Sequence, residues 1–195
     1  MWASDKKGVY SMPKPLPRVL MQINIDSKIL IIGSGGSGKS TLARKLGEVL
    51  ALPVIHLDKE YWNEGWNPTE KEIWLKKLGA LIAAPEWIMD GNYDSSLWLR
   101  LQEADTVIFL DFNRLVCIFS VIKRWLTHLG KTRDDMAEGC PEKMDLSFLK
   151  WIWQFPDKSR PGIIDTLAEY EDVTLFTFHS RRELRQFINE IAPQL

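Results

Sequence analysis

The residues best suited to chemistry lie at positions 33–40, where the chain reads GSGGSGKS. This stretch matches the phosphate-binding pattern G-x-x-x-x-G-K-[ST], the Walker A motif, at every fixed position. Glycines allow the backbone to approach an anion closely, so that successive N–H groups can surround a phosphate. We expect Lys39 to reach the β- and γ-phosphates of a nucleoside triphosphate, and the Ser40 hydroxyl to bind Mg²⁺. The expected nucleotide-binding residues are Gly33, Ser34, Gly35, Gly36, Ser37, Gly38, Lys39, Ser40 and Thr41.

The neighbouring residues supply the two elements that this motif requires. Residues 28–32 form a short, mostly β-branched apolar run, which is typical of a buried strand. Residues 41–50 place Leu42 and Leu46 at helical spacing, which predicts a helix directly after the loop. A flexible Gly/Ser linker is the alternative, but it explains neither the Lys-Ser pair at the end of the motif nor the strand before it.

Two predicted strands end in an aspartate that could orient Mg²⁺ or its water shell. Asp90 ends the run Ile-Met-Asp, and Asp111 ends the run Val-Ile-Phe-Leu-Asp. We favour Asp90 as the metal-orienting acid, because Gly91 follows it and leaves space for phosphate or substrate. Asp111 is better explained as a strand-end residue before the next helix.

A third carboxylate, Asp58, follows the predicted second strand and would face the same sheet edge as the phosphate loop. Such a group could orient an acceptor hydroxyl or take its proton. The aromatic residues Tyr61, Trp62 and Trp66 could form a stacking wall for a ring-shaped acceptor. Alternatively, Asp58 caps a turn and the aromatic rings only pack. We expect His56 to pack beneath a helix.

A basic cluster near the end of the predicted long helix could serve phosphoryl transfer, which needs cations on the moving group. A mobile lid can deliver such cations while it excludes water. Arg124 and Arg133 are the preferred residues, because they flank an irregular segment. The alternative is a solvated helix face. Asp134 and Asp135 follow directly and dilute any positive field for DNA. The cluster consists of Lys123, Arg124, His128, Lys131 and Arg133.

Strand-like and helical runs alternate along the chain, which predicts parallel βαβ units. The expected architecture is α/β, a P-loop NTPase fold with a five-stranded parallel sheet flanked by helices and a helical lid segment. In such a sheet, ligands bind beyond the carboxyl ends of the strands. Residues 69–72 read as a capping box that opens a helix. Strands are predicted at residues 28–32, 54–57, 87–90, 106–112 and 173–178.

Length and charge limit the other possibilities. The 195 residues suit one domain at 23–195, preceded by a poorly ordered tail at 1–22. A net charge of −1 gives no overall field for nucleic acid or acidic membranes, so we do not expect direct nucleic-acid binding. No apolar run approaches the roughly 20 residues of a spanning helix. Two isolated cysteines form no disulfide framework, and together with the nucleotide motif they favour a cytoplasmic location.

Several segments together resemble the DNA topology modulation proteins, a bacterial branch of the adenylate-kinase-like P-loop kinases. The segments are GSGGSGKSTLA, VIHLDKEYWNEGW, WIMDGNY, ADTVIFLDFNR and GKTRDDMAEGCPEKMDLSFLKWIWQFP followed by SRP. The resemblance covers roughly residues 28–188. It implies a kinase-type core, use of ATP and a lid at about 125–157. It also implies that the loop of His179, Ser180 and Arg181 lies near the adenine.

One departure limits what this resemblance implies about the acceptor. Adenylate kinases carry D-G-F-P-R where this chain has D-G-N-Y-D at positions 90–94, so the arginine that grips the acceptor monophosphate is absent there. AMP is therefore not implied as the acceptor, although Arg100 on the next helix could substitute. Asp58 looks more like the acceptor-binding acid of sugar, shikimate or nucleoside kinases.

The sequence thus predicts an enzyme, an ATP- and Mg²⁺-dependent phosphotransferase acting on a small molecule. Its catalytic residues would be Lys39, Asp58, Asp90, Arg124 and Arg133, with Ser40 and Asp90 holding the metal. The acceptor stays open between a nucleoside, a nucleotide and a sugar-like hydroxyl compound. One alternative is a nucleotide-dependent regulatory ATPase that affects DNA topology. Another is a nucleotide-binding switch with little catalysis.

Overall fold

A computed structural model describes residues 28–191 of the chain. Besides the helices and strands given next, these residues form two short 3-10 turns, at Glu64–Trp66 and Asp94–Ser96. In chain order the helices and strands are β1 (Lys28–Gly33), α1 (Lys39–Leu50), β2 (Val54–His56), α2 (Leu57–Tyr61), β3 (Trp62–Asn63), β4 (Asn67–Pro68), α3 (Lys71–Ile82), β5 (Trp87–Asp90), α4 (Leu97–Leu101), β6 (Thr106–Leu110), α5 (Arg114–His128), α6 (Leu146–Lys158), α7 (Arg160–Ala168), β7 (Thr174–Phe178) and α8 (Arg181–Ile191).

Five of the strands form one sheet in the order β2-β5-β1-β6-β7, and all four pairings are parallel. This confirms the predicted five-stranded parallel sheet flanked by helices. β1 lies at the centre, with β5 on one side and β6 on the other. The chain order reverses at β1, so a crevice opens beyond its carboxyl end, where the phosphate loop begins.

The central strand divides the core into two layers. Successive side chains of a strand point to opposite faces. Ile29 and Ile31 therefore pack with α1, α5 and α8 on one face, and Leu30 and Ile32 pack with α3, α4 and α7 on the other. All four side chains are fully buried. This continuous burial explains why β1 is an unbroken apolar run, since a sheet covered on both faces leaves no position for polar side chains.

The β3–β4 pair and the irregular segment at residues 129–145 form a smaller unit outside the five-stranded sheet. Strands β3 and β4 form an antiparallel pair. The irregular segment at residues 129–145 reaches across to it: Gly65 N donates to Gly139 O at 2.9 Å, and the Trp66 indole donates to Pro141 O at 3.1 Å. Three buried residues of the segment pack against the indoles of Trp62 and Trp66. These residues are Met136, Ala137 and Cys140.

Local details differ from the sequence-based expectations. The prediction of a capping box at residues 69–72 is wrong. Glu70 is the residue before α3 and its side chain forms no capping hydrogen bond. The Thr69 hydroxyl donates instead to Tyr61 O at 2.5 Å. The expected second strand ends one residue early, because Leu57 already opens α2. The tail expected at residues 1–22 lies outside the described residues. Between residues 28 and 191, no helix has both the length and the apolar character that crossing a membrane requires.

Candidate active site

The loop between β1 and α1 is curled tightly against its surroundings. Gly36 has φ of +77°, and a Cβ there would lie 2.3 Å from the carbonyl oxygen of Cys117. Gly33 has φ of +143°, and a Cβ there would meet Leu110 O at 2.5 Å. The Ser37 hydroxyl is buried and has no hydrogen-bond partner within the described part of the chain. The loop thus has the shape and the spare donor capacity of a phosphate cradle.

Lys39 lines a cleft of about 870 Å³. Its ammonium donates to Gly33 O at 2.9 Å and to Ser34 O at 3.0 Å. Burial lowers the pKa of Lys39, while the charges of Asp58 and Asp90 act in the opposite direction. The loop carbonyls therefore hold the ammonium, and the charges of Asp58 and Asp90 favour its protonated form.

Asp90 lies directly behind Ser40 and is 4% exposed. Ser40 Oγ donates to Asp90 Oδ2 at 2.8 Å, and His56 Nδ1 bonds the other carboxylate oxygen. His56 was expected to pack beneath a helix; it is the last residue of β2, and its ring in addition makes this polar contact with Asp90. His56 and Asp90 are opposite each other in the β2–β5 register, and that register cannot be known from either strand alone. The phosphate-loop serine and the strand-end aspartate thus form one polar chain.

Asp58 occupies the first turn of α2 and lines the same cleft. The hydroxyl of Tyr93 donates to Asp58 Oδ1 at 2.8 Å. Burial raises the pKa of Asp58, although the Tyr93 bond and the Lys39 charge act in the opposite direction. Trp62 and Trp66 also line the cleft. Tyr61 lines no part of it: its ring packs edge-on against Trp74 and lies 4.8 Å from the ring of Tyr93, so the expected aromatic wall is reduced to two rings.

Arg124 and Arg133 both line the cleft and share one carboxylate. Arg124 Nε donates to Glu142 Oε1 at 2.9 Å, and Arg133 Nε donates to Glu142 Oε2 at 2.8 Å. Arg133 Nη1 also donates to Asp135 Oδ2 at 2.6 Å. Burial would raise the pKa of Asp135, but the charge of Arg133 prevails and lowers it. The irregular segment therefore contributes both charged groups to the cleft that the phosphate loop lines.

The other members of the basic cluster divide into two groups. His128 and Lys131 line the cleft, whereas Lys123 is exposed away from it. Of the three residues placed near the adenine by the family resemblance, only Arg181 lines the cleft. Ser180 instead bonds Glu183 at 2.8 Å at the start of α8. Asp111 is held by the guanidinium of Arg160, with Nε–Oδ1 and Nη2–Oδ2 distances of 2.8 Å, which agrees with a strand-end role.

Arg100 does not replace the missing acceptor arginine. Its side chain is fully buried, and its guanidinium donates to three main-chain carbonyl groups of the turn after β5. Burial lowers the pKa of Arg100 to about 10. The suggestion that it grips an acceptor monophosphate is therefore wrong, because binding one would break these bonds. The carbonyl groups belong to Gly91, Asn92 and Tyr93.

Four residues of this site were not foreseen from the sequence: Tyr93, Asp135, Glu142 and, as a polar contact, His56. Each of them bonds a predicted site residue, and all but Asp135 do so across an element boundary. Tyr93 and Asp135 lie within three residues of the predicted site residues Asp90 and Arg133, and this proximity in sequence could have indicated them. Glu142 lies among other charged residues of a long loop, and nothing in its local sequence distinguishes it.

Comparisons with known proteins place the fold in a recognised class. No protein-family model matches the chain. Its structure resembles a shikimate kinase from Acinetobacter baumannii, solved with shikimate, with a TM-score of 0.54 and 16% identity over 85% of this chain and 92% of that one. It also resembles a gluconokinase from Sinorhizobium meliloti 1021, with a TM-score of 0.50 and 16% identity over 87% of this chain and 91% of that one. The chain therefore has the α/β fold of P-loop small-molecule kinases.

A curated protein, threonine synthase-like 1 of Mus musculus, is 24% identical to this chain over 190 residues. The match covers 82% of the chain but only 24% of that protein's length. None of these comparisons shows the DNA topology modulation family that the sequence motifs resemble. What they establish is the fold.

Proposed function

We propose that the chain is an ATP- and Mg²⁺-dependent phosphotransferase that acts on a small molecule. The observation that carries this proposal is the convergence of Lys39, Asp58, Arg124 and Arg133 on one cleft, beyond the carboxyl end of β1. Phosphoryl transfer depends mainly on positioning and on charge stabilisation, and these four side chains supply both.

The phosphate loop fits a triphosphate. Alanine-sized side chains at Gly33 or Gly36 would collide with the carbonyl oxygens of Leu110 or Cys117, so these glycines allow the loop to curl closely against β6 and α5. The Ser37 hydroxyl, which has no hydrogen-bond partner among residues 28–191, and the N-terminus of α1 add donors and positive potential. Lys39 would exchange its two carbonyl contacts for phosphate oxygens.

Ser40 and Asp90 are suited to Mg²⁺, which prefers oxygen ligands and keeps several waters. The Ser40 hydroxyl lines the cleft, and Asp90 behind it would orient that hydroxyl or a metal-bound water. The metal would neutralise charge on the β- and γ-phosphates. His56 would in turn hold the Asp90 carboxylate in place.

Asp58 is the group that would bind the acceptor. In the proposed reaction, an acceptor hydroxyl oxygen bonds the γ-phosphorus while the bond from that phosphorus to the β,γ-bridging oxygen breaks and ADP leaves. Asp58 orients the hydroxyl and takes its proton. Tyr93 fixes one oxygen of Asp58, so the other oxygen remains for the acceptor. Trp62 and Trp66 would provide apolar surface for a ring.

The first experiment is a screen for ADP formation with nucleosides, nucleoside monophosphates, sugars and sugar acids. The proposal predicts that at least one hydroxyl compound accelerates ADP release and becomes phosphorylated, and that Lys39→Ala removes this activity. ADP release that requires DNA and falls steeply with salt would instead support a regulatory ATPase acting on DNA. Tight ATP binding without any acceptor-stimulated turnover would support a nucleotide-binding switch.

A further inference from the structure

The carboxylate of Glu142 accepts hydrogen bonds from both Arg124 and Arg133, the two arginines proposed to act in the cleft. One of its oxygens accepts from Arg124, which belongs to α5, and the other accepts from Arg133, which belongs to the irregular segment. The Glu142 side chain is only 4% exposed, and those of Arg124 and Arg133 are 27% and 13% exposed. Ion pairs that are this well shielded depend on accurate geometry much more than exposed pairs do.

The backbone of Glu142 ties the same segment together. Glu142 N donates to Lys131 O at 2.9 Å, and Gly130 N donates to Glu142 O at 3.4 Å. Residues 131–142 therefore form a closed loop, and Arg133 lies just inside it. Glu142 thus holds Arg133 through the main chain as well as through its carboxylate.

The bonds to Glu142 leave part of each arginine available. A guanidinium has five N–H donors in a rigid plane, so fixing one edge also fixes the direction of the other. Arg124 uses its Nε and Nη2 toward Glu142, and Arg133 uses its Nε toward Glu142 and its Nη1 toward Asp135. Within residues 28–191, no bond is formed by Arg124 Nη1 or Arg133 Nη2. Both side chains line the cleft that contains Lys39.

We propose that Glu142 is a positioning residue: it aligns Arg124 and Arg133 so that their remaining N–H groups bind the terminal phosphate of ATP. This inference rests on the proposed function, since it assumes a triphosphate on the loop at residues 33–40. It assigns no contact between Glu142 and the nucleotide.

The test compares the affinities of the protein for Mg²⁺–ATP and Mg²⁺–ADP by titration calorimetry, which needs no acceptor. Wild-type protein should bind ATP more tightly, because only ATP offers the γ-phosphate to the arginines. Glu142→Gln removes one charge and turns an NH₂ group toward one of the arginines. The preference for ATP over ADP should then fall by about tenfold, the size of one charge-assisted hydrogen bond.

Glu138→Gln is the matched control, because Glu138 is exposed on the same loop and undergoes the same chemical change. Its preference for ATP should stay within about twofold of wild type. Glu142→Asp keeps the charge but is too short to reach both arginines, and it should lower the preference partially. It provides the same test if the Gln variant fails to fold.

A purely structural role for Glu142 would lower the melting temperature and leave the ATP preference unchanged. That result, or a preference that rises in Glu142→Gln, would overturn the proposal, as would wild-type protein that binds ATP and ADP equally. In these cases the wider phosphotransferase proposal still stands. Wild-type protein that binds neither nucleotide would remove both.

Discussion

At the level of single residues, the cleft places one cation, Lys39, beside the carboxylates of Asp58 and Asp90. Burial disfavours the charged form of the lysine, whereas the two carboxylates favour it. The carboxylates therefore help to keep the ammonium charge that phosphate binding requires. Asp58 experiences the same balance, since burial favours its neutral form and Lys39 favours its charged form.

Lys39→Ala tests the charge-stabilising role directly. The variant should lose about 10²–10³-fold in turnover, the effect of removing one preorganised charge-stabilising donor. Folding should be retained, because the ammonium bonds only loop carbonyls. ADP formation and thermal melting measure the two effects. Lys45→Ala, an exposed position on the same helix, is the control and should match wild type. Equal turnover in both variants would contradict the role assigned to Lys39.

Asp58→Asn tests how burial of this carboxylate affects stability. Because the folded-state pKa of Asp58 is raised above the ordinary 3.8, its contribution favours folding at low pH and is lost as the pH rises through the folded pKa. At pH 8 the asparagine variant should therefore melt higher than wild type. The gain should shrink toward pH 4, and turnover should be lost. Each 1 kcal/mol corresponds to about 2–4 °C for a chain of this size.

Asp165→Asn, at an exposed position, is the control for this comparison and should melt as wild type does at every pH. An Asp58→Asn variant with unchanged turnover would contradict the acceptor-binding role. A stability gain that increased toward low pH would contradict the raised pKa.

At the level of elements, the turn between β1 and α1 depends on two glycines that cannot be replaced. Gly36→Ala forces a side chain into the left-handed region and against Cys117 O. The variant should lose about 1–3 kcal/mol of unfolding free energy, together with most ATP affinity. Urea unfolding and calorimetry measure these losses. A variant that binds ATP as wild type does would show that the loop is not the cradle.

Gly79 is the opposite case and serves as the control. It lies inside α3, and a Cβ there would meet nothing within 4 Å. Gly79→Ala should increase stability by about 0.5–1 kcal/mol, because alanine loses less backbone entropy in a helix. ATP affinity should not change.

Arg100 fixes the turn between β5 and α4, which carries Tyr93 to Asp58. Arg100→Met would leave three main-chain carbonyl groups without their donors, at about 1–3 kcal/mol each when buried. The expected loss is about 3 kcal/mol or more in urea unfolding. Arg182→Met, at an exposed position, should change stability by less than about 0.5 kcal/mol. Similar stabilities for both variants would contradict the bracing role of Arg100.

The elements themselves could be predicted because their patterns are local. The apolar run of β1, the glycine loop and the helical spacing of Leu42 and Leu46 lie within one short segment, and the structure has them there. The capping box failed because the Thr69 hydroxyl found a distant partner, Tyr61 O. The bonds of His56 to Asp90 and of Glu142 to two arginines depend on strand register and loop path. A single sequence does not encode either of these locally.

At the level of the whole molecule, the candidate site is a cleft between the sheet edge and the segment at 129–145. Two sets of contacts hold that segment: the bonds of the Glu142 carboxylate to the arginines, and the contacts of residues 136–141 with Trp62 and Trp66. The expected lid at 125–157 includes this segment and α6. Its cleft-lining groups come from both, as Arg133 and Phe148 illustrate. Opening it would therefore break polar and apolar contacts together.

The central claim is that the loop at residues 33–40 holds the triphosphate from which a phosphoryl group is transferred. A crystal structure with Mg²⁺ and a non-hydrolysable ATP analogue tests this claim most directly. We predict β- and γ-phosphate oxygens within hydrogen-bond distance of Lys39 Nζ, with the metal on the Ser40 hydroxyl. An analogue bound elsewhere, with Lys39 still bonded to Gly33 O and Ser34 O, would contradict the account.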